Sequence, residues 1–377
     1  MLISFVRFHI KVFLLLSLLF IFNKIFSQCN GRYETEIFST VSVQTINYSD
    51  VYTDTEHEMD VYIPDGDAVT DRPLIVFCHG GSFMNGDKLD SDCVDFCESF
   101  AKRGYVTASV NYRQVANDFI SQGIFVANQQ EQYKQVMKAV ADAKAAIRYF
   151  RKDFLNGNTF GIDGNTVYIG GASAGAVLAL HLAFLDDVSD LPTSPFNIQD
   201  VVNDLGGLEG DAGNNGYSSS VNGVISIAGG INDVNWIDAS DDPLVSVQGD
   251  ADDVVSYNCA PGLGFPTVVT LCGSGEMHPQ ANLVGIPNDV LVYPGEAHTW
   301  FPGGSSNPKF VQALDFIANF LFPILPCNNT SVFEMNGNGS KLNRVVDVLG
   351  RPSKIKANTP LYFIYENGVV EKKMIIE

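Results

Sequence analysis

The chain has 377 residues, 46% of them hydrophobic, and a formal net charge of −20. The first 27 residues contribute +3 and the last fifty contribute +2, so residues 28–327 carry −25. The length predicts one large globular domain with additional segments. A body this acidic repels nucleic acids and anionic lipid surfaces, so we expect no nucleic-acid partner.

Residues 1–27 have the pattern of a signal peptide. Two basic residues precede a short apolar run, residues 12–22, and Ser27 is a small residue before the predicted cleavage site. The run is too short for a comfortable membrane span. A lipoprotein signal that ends at Cys29 is the alternative, although a glutamine is a poor residue before a lipidated cysteine. We expect export to the periplasm, where disulfides can form.

Strands and helices alternate from residue 31 onward. The predicted antiparallel edge strands are 41–45 and 58–63, the buried strands are 73–78, 105–110, 166–169, 221–228, 243–247 and 289–293, and the helices are 92–103, 129–151, 174–185 and 308–322. This alternation predicts an α/β fold with a mostly parallel central sheet and helices on both faces. Ligands bind such sheets at the carboxyl ends of the strands. Residues 186–220, rich in Asp, Asn, Gly, Ser and Pro, predict an irregular excursion or a small cap.

The pattern changes at Asn328 to short alternating runs separated by Asn and Gly, which predicts a small all-β module. The predicted domains are therefore a signal peptide (1–27), a main domain (28–327) and a small all-β C-terminal domain (328–377).

All seven cysteines follow the predicted signal peptide. Cys259 and Cys272 bracket one loop, and Cys29 and Cys327 bracket the main domain. Each pair is a candidate disulfide, because an exported chain meets oxidising conditions.

The other three cysteines are expected to be free. Cys78 lies inside an apolar strand, as a buried core thiol does. Cys93 and Cys97 share one helical face, an awkward geometry for a mutual bond. No second Cys/His pair accompanies them, so we expect no metal site.

The segment Gly171-Ala172-Ser173-Ala174-Gly175 follows a buried strand and opens a helix. Strand, sharp turn, serine and helix form the context that a G-x-S-x-G motif requires, and small neighbours relieve the crowding of the turn. A glycine-rich chain also contains this motif by chance. Ser173 is therefore a candidate nucleophile only if the chain supplies a base and a carboxylate that orients the base.

Six histidines compete for the role of the base. His298 follows the last main strand, in a strand-end loop late in the chain, where this architecture places a base. The others have simpler interpretations: His9 leaves with the signal peptide, His57 is expected at the surface, His79 precedes a glycine turn, His181 packs within a helix, and His278 lies in a loop.

Two further loops supply the remaining parts. The loop after strand 243–247 offers three carboxylates, each of which is alternatively a solvated side chain: Asp250, Asp252 and Asp253. The segment His79-Gly80-Gly81-Ser82 directly follows a buried strand. Its N–H groups, with that of Ala174, are candidates for an oxyanion hole, and a glycine turn without function is the alternative.

The chain resembles the α/β-hydrolase superfamily over roughly residues 33–325, and is most similar there to secreted carboxylesterases of the H-G-G type. Four motifs in this order carry the resemblance: His79-Gly80-Gly81-Ser82-Phe83, Gly171-Ala172-Ser173-Ala174-Gly175, Gly249-Asp250-Ala251-Asp252 and Gly295-Glu296-Ala297-His298. The resemblance implies that Ser173 is the nucleophile, His298 the general base and then acid, and Asp252 the orienting carboxylate. It also implies three donors to the oxyanion: Gly81, Ser82 and Ala174.

Two departures from the family pattern matter. Ser82 stands where the glycine run would have its third glycine, which leaves the second oxyanion donor open. Asp250 and Asp253 flank Asp252, so the acid could differ by a position or two.

The tail resembles a type IX secretion C-terminal sorting domain through residues 343–351, 360–368 and 372–377. That family is a small β-sandwich read by the outer-membrane export machinery. The resemblance therefore implies this machinery as a partner and a secreted or cell-surface location. A carbohydrate-binding or adhesive β-module is the alternative.

The sequence thus predicts a secreted serine hydrolase that cleaves small-molecule or polymer-borne carboxylic esters through an acyl-enzyme, without a cofactor or metal. A serine peptidase of the same fold and a non-catalytic binding or adhesion protein are the alternatives. Residues 112–130, 186–220 and 256–288 are expected to shape the pocket. Five aromatic residues are candidates to line it: Phe119, Phe125, Trp236, Trp300 and Phe301.

Overall fold

The computed structural model describes Cys29, residues 31–327 and three strands within the last fifty residues. The chain divides into two compact units, Met1–Asn328 and Asn329–Glu377. The predicted signal peptide lies outside the described residues, as does most of the predicted sorting domain.

The strands of the described chain fall where continuous or alternating apolar runs predict them, with two short additions. They are β1 (Val41–Asn47), β2 (Glu58–Pro64), β3 (Arg72–Cys78), β4 (Val106–Val110), β5 (Ile162–Ala172), β6 (Val224–Ile227), β7 (Leu244–Gly249), β8 (Cys259–Pro261), β9 (Thr270–Cys272), β10 (Asn288–Tyr293), β11 (Leu342–Val346), β12 (Pro360–Tyr365) and β13 (Val370–Met374).

The main helices likewise follow the predicted segments. The α-helices are α1 (Ser91–Lys102), α2 (Asn117–Ser121), α3 (Ile124–Ala127), α4 (Gln129–Leu155), α5 (Ala174–Phe184), α6 (Ile198–Asp204), α7 (Ser274–Val284) and α8 (Pro308–Leu321). Helix α4 begins at an Asn128 side chain that accepts the N–H groups of the first turn.

Eight strands form one sheet in the order β1-β2-β4-β3-β5-β6-β7-β10. β1 pairs with β2, and β2 with β4, in antiparallel fashion. The six strands from β4 to β10 pair in parallel. The predicted mostly parallel sheet with antiparallel edge strands is therefore confirmed.

Both faces of the sheet are covered, which explains the continuous apolar strands. Along β3, Leu74 and Val76 belong to one apolar cluster, which also holds residues of α4 and α5. Their neighbours Ile75 and Phe77 belong to a second cluster, which holds residues of α1 and α8. The result is a three-layer arrangement in which the carboxyl ends of β3, β5, β7 and β10 share one edge.

Some element boundaries differ from the prediction. β5 begins four residues earlier than predicted. The antiparallel hairpin of β8 and β9 and the helices α2, α3 and α7 were not predicted. His278 lies in α7 and not in a loop, although a proline, Pro279, follows it inside that helix. The excursion 186–220 contains a short 3₁₀ turn and α6, and is otherwise irregular, as predicted.

The cysteines pair as predicted. Cys29 bonds Cys327 and Cys259 bonds Cys272, whereas the other three are buried and free. Burial raises the pKa of the Cys78 thiol, so this thiol stays protonated. Two disulfides are typical of an extracellular or periplasmic protein.

Within the part of the chain that the structure describes, no group of His, Cys, Asp and Glu could hold a metal ion. The described helices include none long and apolar enough to cross a membrane. In the second unit, β11, β12 and β13 form an antiparallel three-stranded sheet, as expected for an all-β module.

Candidate active site

Ser173 lies at a strained turn between β5 and α5. Its φ of 52° and ψ of −117° are unusual for a residue with a side chain. A Cβ added to Gly175 would lie 2.0 Å from the carbonyl oxygen of Cys78, and one added to Gly171 would lie 2.3 Å from the carbonyl carbon of Gly175. Only glycine allows this approach of β3, β5 and α5, so both positions of the motif are required by packing.

The structure brings Ser173, His298 and Asp252 together in one hydrogen-bonded line. Ser173 Oγ lies 2.8 Å from His298 Nε2, and His298 Nδ1 lies 2.8 Å from Asp252 Oδ2 and 2.9 Å from Oδ1. A carboxylate only accepts hydrogen bonds, so Nδ1 carries the proton and Nε2 is free to accept the proton of Ser173. All three side chains are buried.

Of the three competing carboxylates, only Asp252 contacts the histidine. Its Oδ1 accepts the backbone N–H groups of Val254 and Val255 at 3.0 and 2.9 Å. Asp250 and Asp253 are exposed, and Asp250 binds the N–H of Gly295 at 2.6 Å. The local backbone therefore fixes the Asp252 carboxylate in position before it meets His298.

A further residue, Gln248, supports this loop and was not predicted. It is fully buried, and its Nε2 donates to the carbonyl of Val255 at 2.8 Å and lies 3.5 Å from Asp252 Oδ2. Its Oε1 accepts the N–H of Ser274, at the start of α7. A lone glutamine at a strand end gives no sequence signal for such a role.

The glycine segment after β3 is also strained. Gly81, Ser82 and Phe83 have φ values of 107°, 55° and 62°. A Cβ added to Gly80 would lie 3.4 Å from Ser173 Cβ, so this segment lies directly beside the serine. Ala174 is the first residue of α5, and its N–H has no partner within the helix. The predicted oxyanion donors are thus close to Ser173, and their role stays a prediction.

His79 holds this segment and does not join the site. It is fully buried and stacks on Tyr112, with ring centroids 4.2 Å apart. Its Nδ1 donates to the carbonyl of Gly80 at 2.7 Å, and the Tyr112 hydroxyl donates to the carbonyl of His79 at 2.8 Å. Burial lowers the pKa of His79, so the ring stays neutral beneath the turn.

A cavity of ≈ 80 Å³ opens beside Ser173, and its walls are mostly apolar. The segments 125–126 and 262–271 contribute to it, as predicted for 112–130 and 256–288. Residues 186–220 do not line this cavity, contrary to the prediction. The later part of that excursion instead borders a polar cavity beside the carboxyl end of α5, away from the serine.

Of the five candidate aromatic residues, only Phe125 lines this cavity. Trp236 packs edge-on against His181, and Trp300 packs against Tyr293 at 4.8 Å between ring centroids. Phe301 lies 5.8 Å from the ring of His298 and supports it from the side. Trp236, Trp300 and Phe301 thus pack against neighbouring side chains. The sequence pattern alone does not distinguish such packed positions from positions on a cavity wall.

The prediction of a surface position for His57 is wrong. This residue is only 1% exposed, stacks on Tyr52 and lies between two carboxylates. Its Nδ1 is 2.6 Å from Asp54 Oδ1, and its Nε2 is 3.3 Å from Asp142 Oδ1. Burial lowers the pKa of His57, but the two carboxylates outweigh this effect and the pKa is raised. His181 is buried within α5, as predicted.

The BD-FAE family model matches residues 59–263, which is more than half of the chain. The chain belongs to the BD-FAE family. In this BD-FAE protein the matched region contains Ser173 and Asp252, whereas His298 lies beyond it. No curated protein matches the chain.

Solved esterase structures share the fold of this BD-FAE protein. The propionate-bound thermophilic esterase Est2 of the Planctomycetes species Thermogutta terrifontis has a TM-score of 0.54 at 21% identity, covering 75% of this chain and 94% of its own. A truncated carbohydrate esterase from gut microbiota has a TM-score of 0.53 at 18% identity, with coverages of 75% and 96%. The Thermogutta esterase 2 phosphoramylated by tabun has a TM-score of 0.53 at 21% identity, with coverages of 76% and 96%. These likenesses confirm the predicted α/β-hydrolase fold.

Proposed function

We propose that the protein is a serine hydrolase that cleaves carboxylic esters. The single observation that carries this proposal is the line of hydrogen bonds from Asp252 through His298 to Ser173, whose side chain borders an apolar cavity. A serine hydroxyl needs a neighbouring base, and the base needs a carboxylate that fixes its tautomer. An apolar cavity beside the hydroxyl suits an acyl chain and not a charged group.

In the proposed reaction, Ser173 Oγ attacks the ester carbonyl while its proton moves to His298 Nε2. Asp252 stabilises the imidazolium that forms, and N–H groups of Ala174, Gly81 and Ser82 bind the oxyanion. The carbon–oxygen bond to the alcohol then breaks, and the alcohol leaves with the proton from His298. Water attacks the acyl-enzyme by the same steps and releases the acid.

Two of the structural neighbours support this choice of substrate. One neighbour is an esterase with bound propionate, and another is described as a carbohydrate esterase. We therefore propose an ester carried by a small molecule or by a polymer as the substrate. No step of the proposed reaction needs a metal or cofactor.

We also propose export in two steps, with residues 1–27 as the signal peptide and residues 328–377 as a sorting domain for the type IX outer-membrane machinery. The two disulfides support an oxidising destination. Deleting residues 328–377 should leave the protein in the periplasm of a host that has this machinery. Secretion of the deleted form at the normal level would contradict the sorting role.

The esterase proposal is tested by hydrolysis of p-nitrophenyl esters by the full-length protein and its Ser173→Ala variant. Ser220→Ala, which changes an exposed serine, is the matched control. We expect activity and fluorophosphonate labelling in the wild type and in Ser220→Ala, and neither in Ser173→Ala. A folded wild type that hydrolyses no ester would overturn the proposal, and peptide substrates would then be tested before a binding role.

A further inference from the structure

The roof of the cavity beside Ser173 is built from two segments that are distant in the chain. Phe125 and Val126 belong to α3, whereas Leu263, Val268 and Val269 belong to the connection between β8 and β9. Neither segment is part of the central sheet. Among the described residues, no backbone hydrogen bond joins the two segments, so side-chain contacts hold their mutual position.

One side chain joins both segments. Gln132 lies in the first turns of α4, is 5% exposed and lines the cavity. Its Nε2 donates to the carbonyls of Phe125 at 2.9 Å and Val126 at 3.2 Å, and lies 3.4 Å from the carbonyl of Thr267. Its Oε1 accepts the N–H of Val269 at 2.8 Å.

A second hydrogen bond joins the same two segments, α3 and the connection between β8 and β9. The Thr267 hydroxyl donates to the carbonyl of Val126 at 2.8 Å. Because Thr267 is exposed, this bond competes with water and is the weaker link. The buried Gln132 amide has no such competition, so it determines how closely the two segments approach.

We propose that Gln132 is a specificity-determining residue, which limits the length of the acyl group by holding the roof of the cavity closed. This inference rests on the proposed esterase function. With the roof in place, the cavity beside Ser173 is small, ≈ 80 Å³, and suits a short acyl chain. Loss of the Gln132 amide removes the acceptor of the Val269 N–H and one donor from the carbonyls of Phe125 and Val126. The Val269 N–H then regains a partner only if the roof opens to water.

The neighbouring residue Gln135 provides a matched control. It lies on the same helix, is 6% exposed, and its Nε2 donates to the backbone carbonyl of Arg113. It does not line the cavity. Gln132→Leu and Gln135→Leu therefore remove similar amides from similar surroundings, but only the first removes a contact with the roof.

The experiment measures kcat/KM of the full-length protein and these variants for two substrates, p-nitrophenyl acetate and p-nitrophenyl octanoate. We expect the octanoate-to-acetate ratio to rise about tenfold in Gln132→Leu, a change of about 1.4 kcal/mol in relative transition-state binding. The ratio should not change in Gln135→Leu. Thr267→Val, which is safe for folding because the position is exposed, should raise the ratio by a smaller factor.

An equal loss of activity on both esters in Gln132→Leu, or an equal change of the ratio in Gln135→Leu, would overturn the specificity role. Calorimetric binding of octanoate to the Ser173→Ala protein, with and without Gln132→Leu, separates the two proposals. An inactive wild type overturns the esterase function. Octanoate binding that Gln132→Leu fails to strengthen overturns the role of Gln132, whatever the activity.

Discussion

The substitution Asp252→Asn tests the candidate triad most directly, because the structure predicts which way the new amide will point. Asp252 Oδ1 accepts the backbone N–H groups of Val254 and Val255. An asparagine keeps both bonds only with its oxygen at the Oδ1 position. Its NH₂ group then occupies the Oδ2 position, 2.8 Å from His298 Nδ1.

This orientation reverses the tautomer of the histidine. An NH₂ group donates, so it favours the tautomer in which His298 Nδ1 is unprotonated and Nε2 carries the proton, against the oxygen that stays at the Oδ1 position, 2.9 Å from Nδ1. A protonated Nε2 cannot accept the proton of Ser173. The same exchange in serine proteases lowers kcat by about 10⁴-fold, which corresponds to about 5.5 kcal/mol in the activation free energy. We expect a loss of that size here, with little change in KM.

The assay is steady-state hydrolysis of p-nitrophenyl acetate from pH 6 to pH 10, with thermal unfolding to show that each variant is folded. Asp253→Asn is the matched control, since that neighbouring carboxylate is exposed. Asp252→Asn with more than a tenth of the wild-type activity would refute the reasoning. So would an equal loss in Asp253→Asn.

Three further predictions concern stability and packing. His57→Gln should lower the free energy of unfolding, measured by urea titration, more at pH 6 than at pH 9. The pKa of His57 is raised in the folded state, so the stabilising contribution of this residue is present at low pH and is lost as the pH rises through that pKa. Replacing Cys259 and Cys272 by serine should cost about 2–3 kcal/mol of unfolding free energy and raise KM more than it lowers kcat, because the disulfide closes a short hairpin that lines the cavity. Gly175→Ala should lower kcat/KM by about 100-fold or more although alanine favours helices, because its Cβ would lie 2.0 Å from the Cys78 carbonyl oxygen. The first prediction is contradicted if His57→Gln lowers the free energy of unfolding equally at pH 6 and pH 9, and the second if the cysteine replacements leave KM unchanged. An alanine variant at position 175 with wild-type activity would contradict the third.

The fold was predictable because its signals are local. β3 shows a continuous apolar run because both of its faces are buried, and α4 shows helical spacing over most of its length. The G-x-S-x-G turn was predictable for the same reason, since its residues are contiguous in one strand–turn–helix unit, although the contact that requires Gly175 is with Cys78 on β3. The position of His298 followed from the order of the elements, since a loop after the last parallel strand must lie at the same sheet edge as Ser173.

The errors arose where a residue depends on a partner that is distant in the chain. His57 was expected at the surface because acidic residues surround it in sequence. In the structure one of its two carboxylates is Asp142 on α4, 85 positions away along the chain. No pattern in a single sequence links the two residues, and the same is true of Gln248 and Ser274.

This distinction also explains why the sequence left the acyl group undetermined. The candidate triad lies at the ends of sheet strands, where backbone geometry leaves few choices for each side chain. The roof of the cavity lies on short segments outside the central sheet, α3 and the β8–β9 hairpin, whose composition carries little periodicity. Its shape depends on Gln132, one amide among the polar residues of a long helix, and on a disulfide that could be inferred only from spacing. The proposed chemistry thus rests on the most predictable part of this chain and the proposed choice of substrate on the least predictable part, so we expect that the two can change independently by substitution.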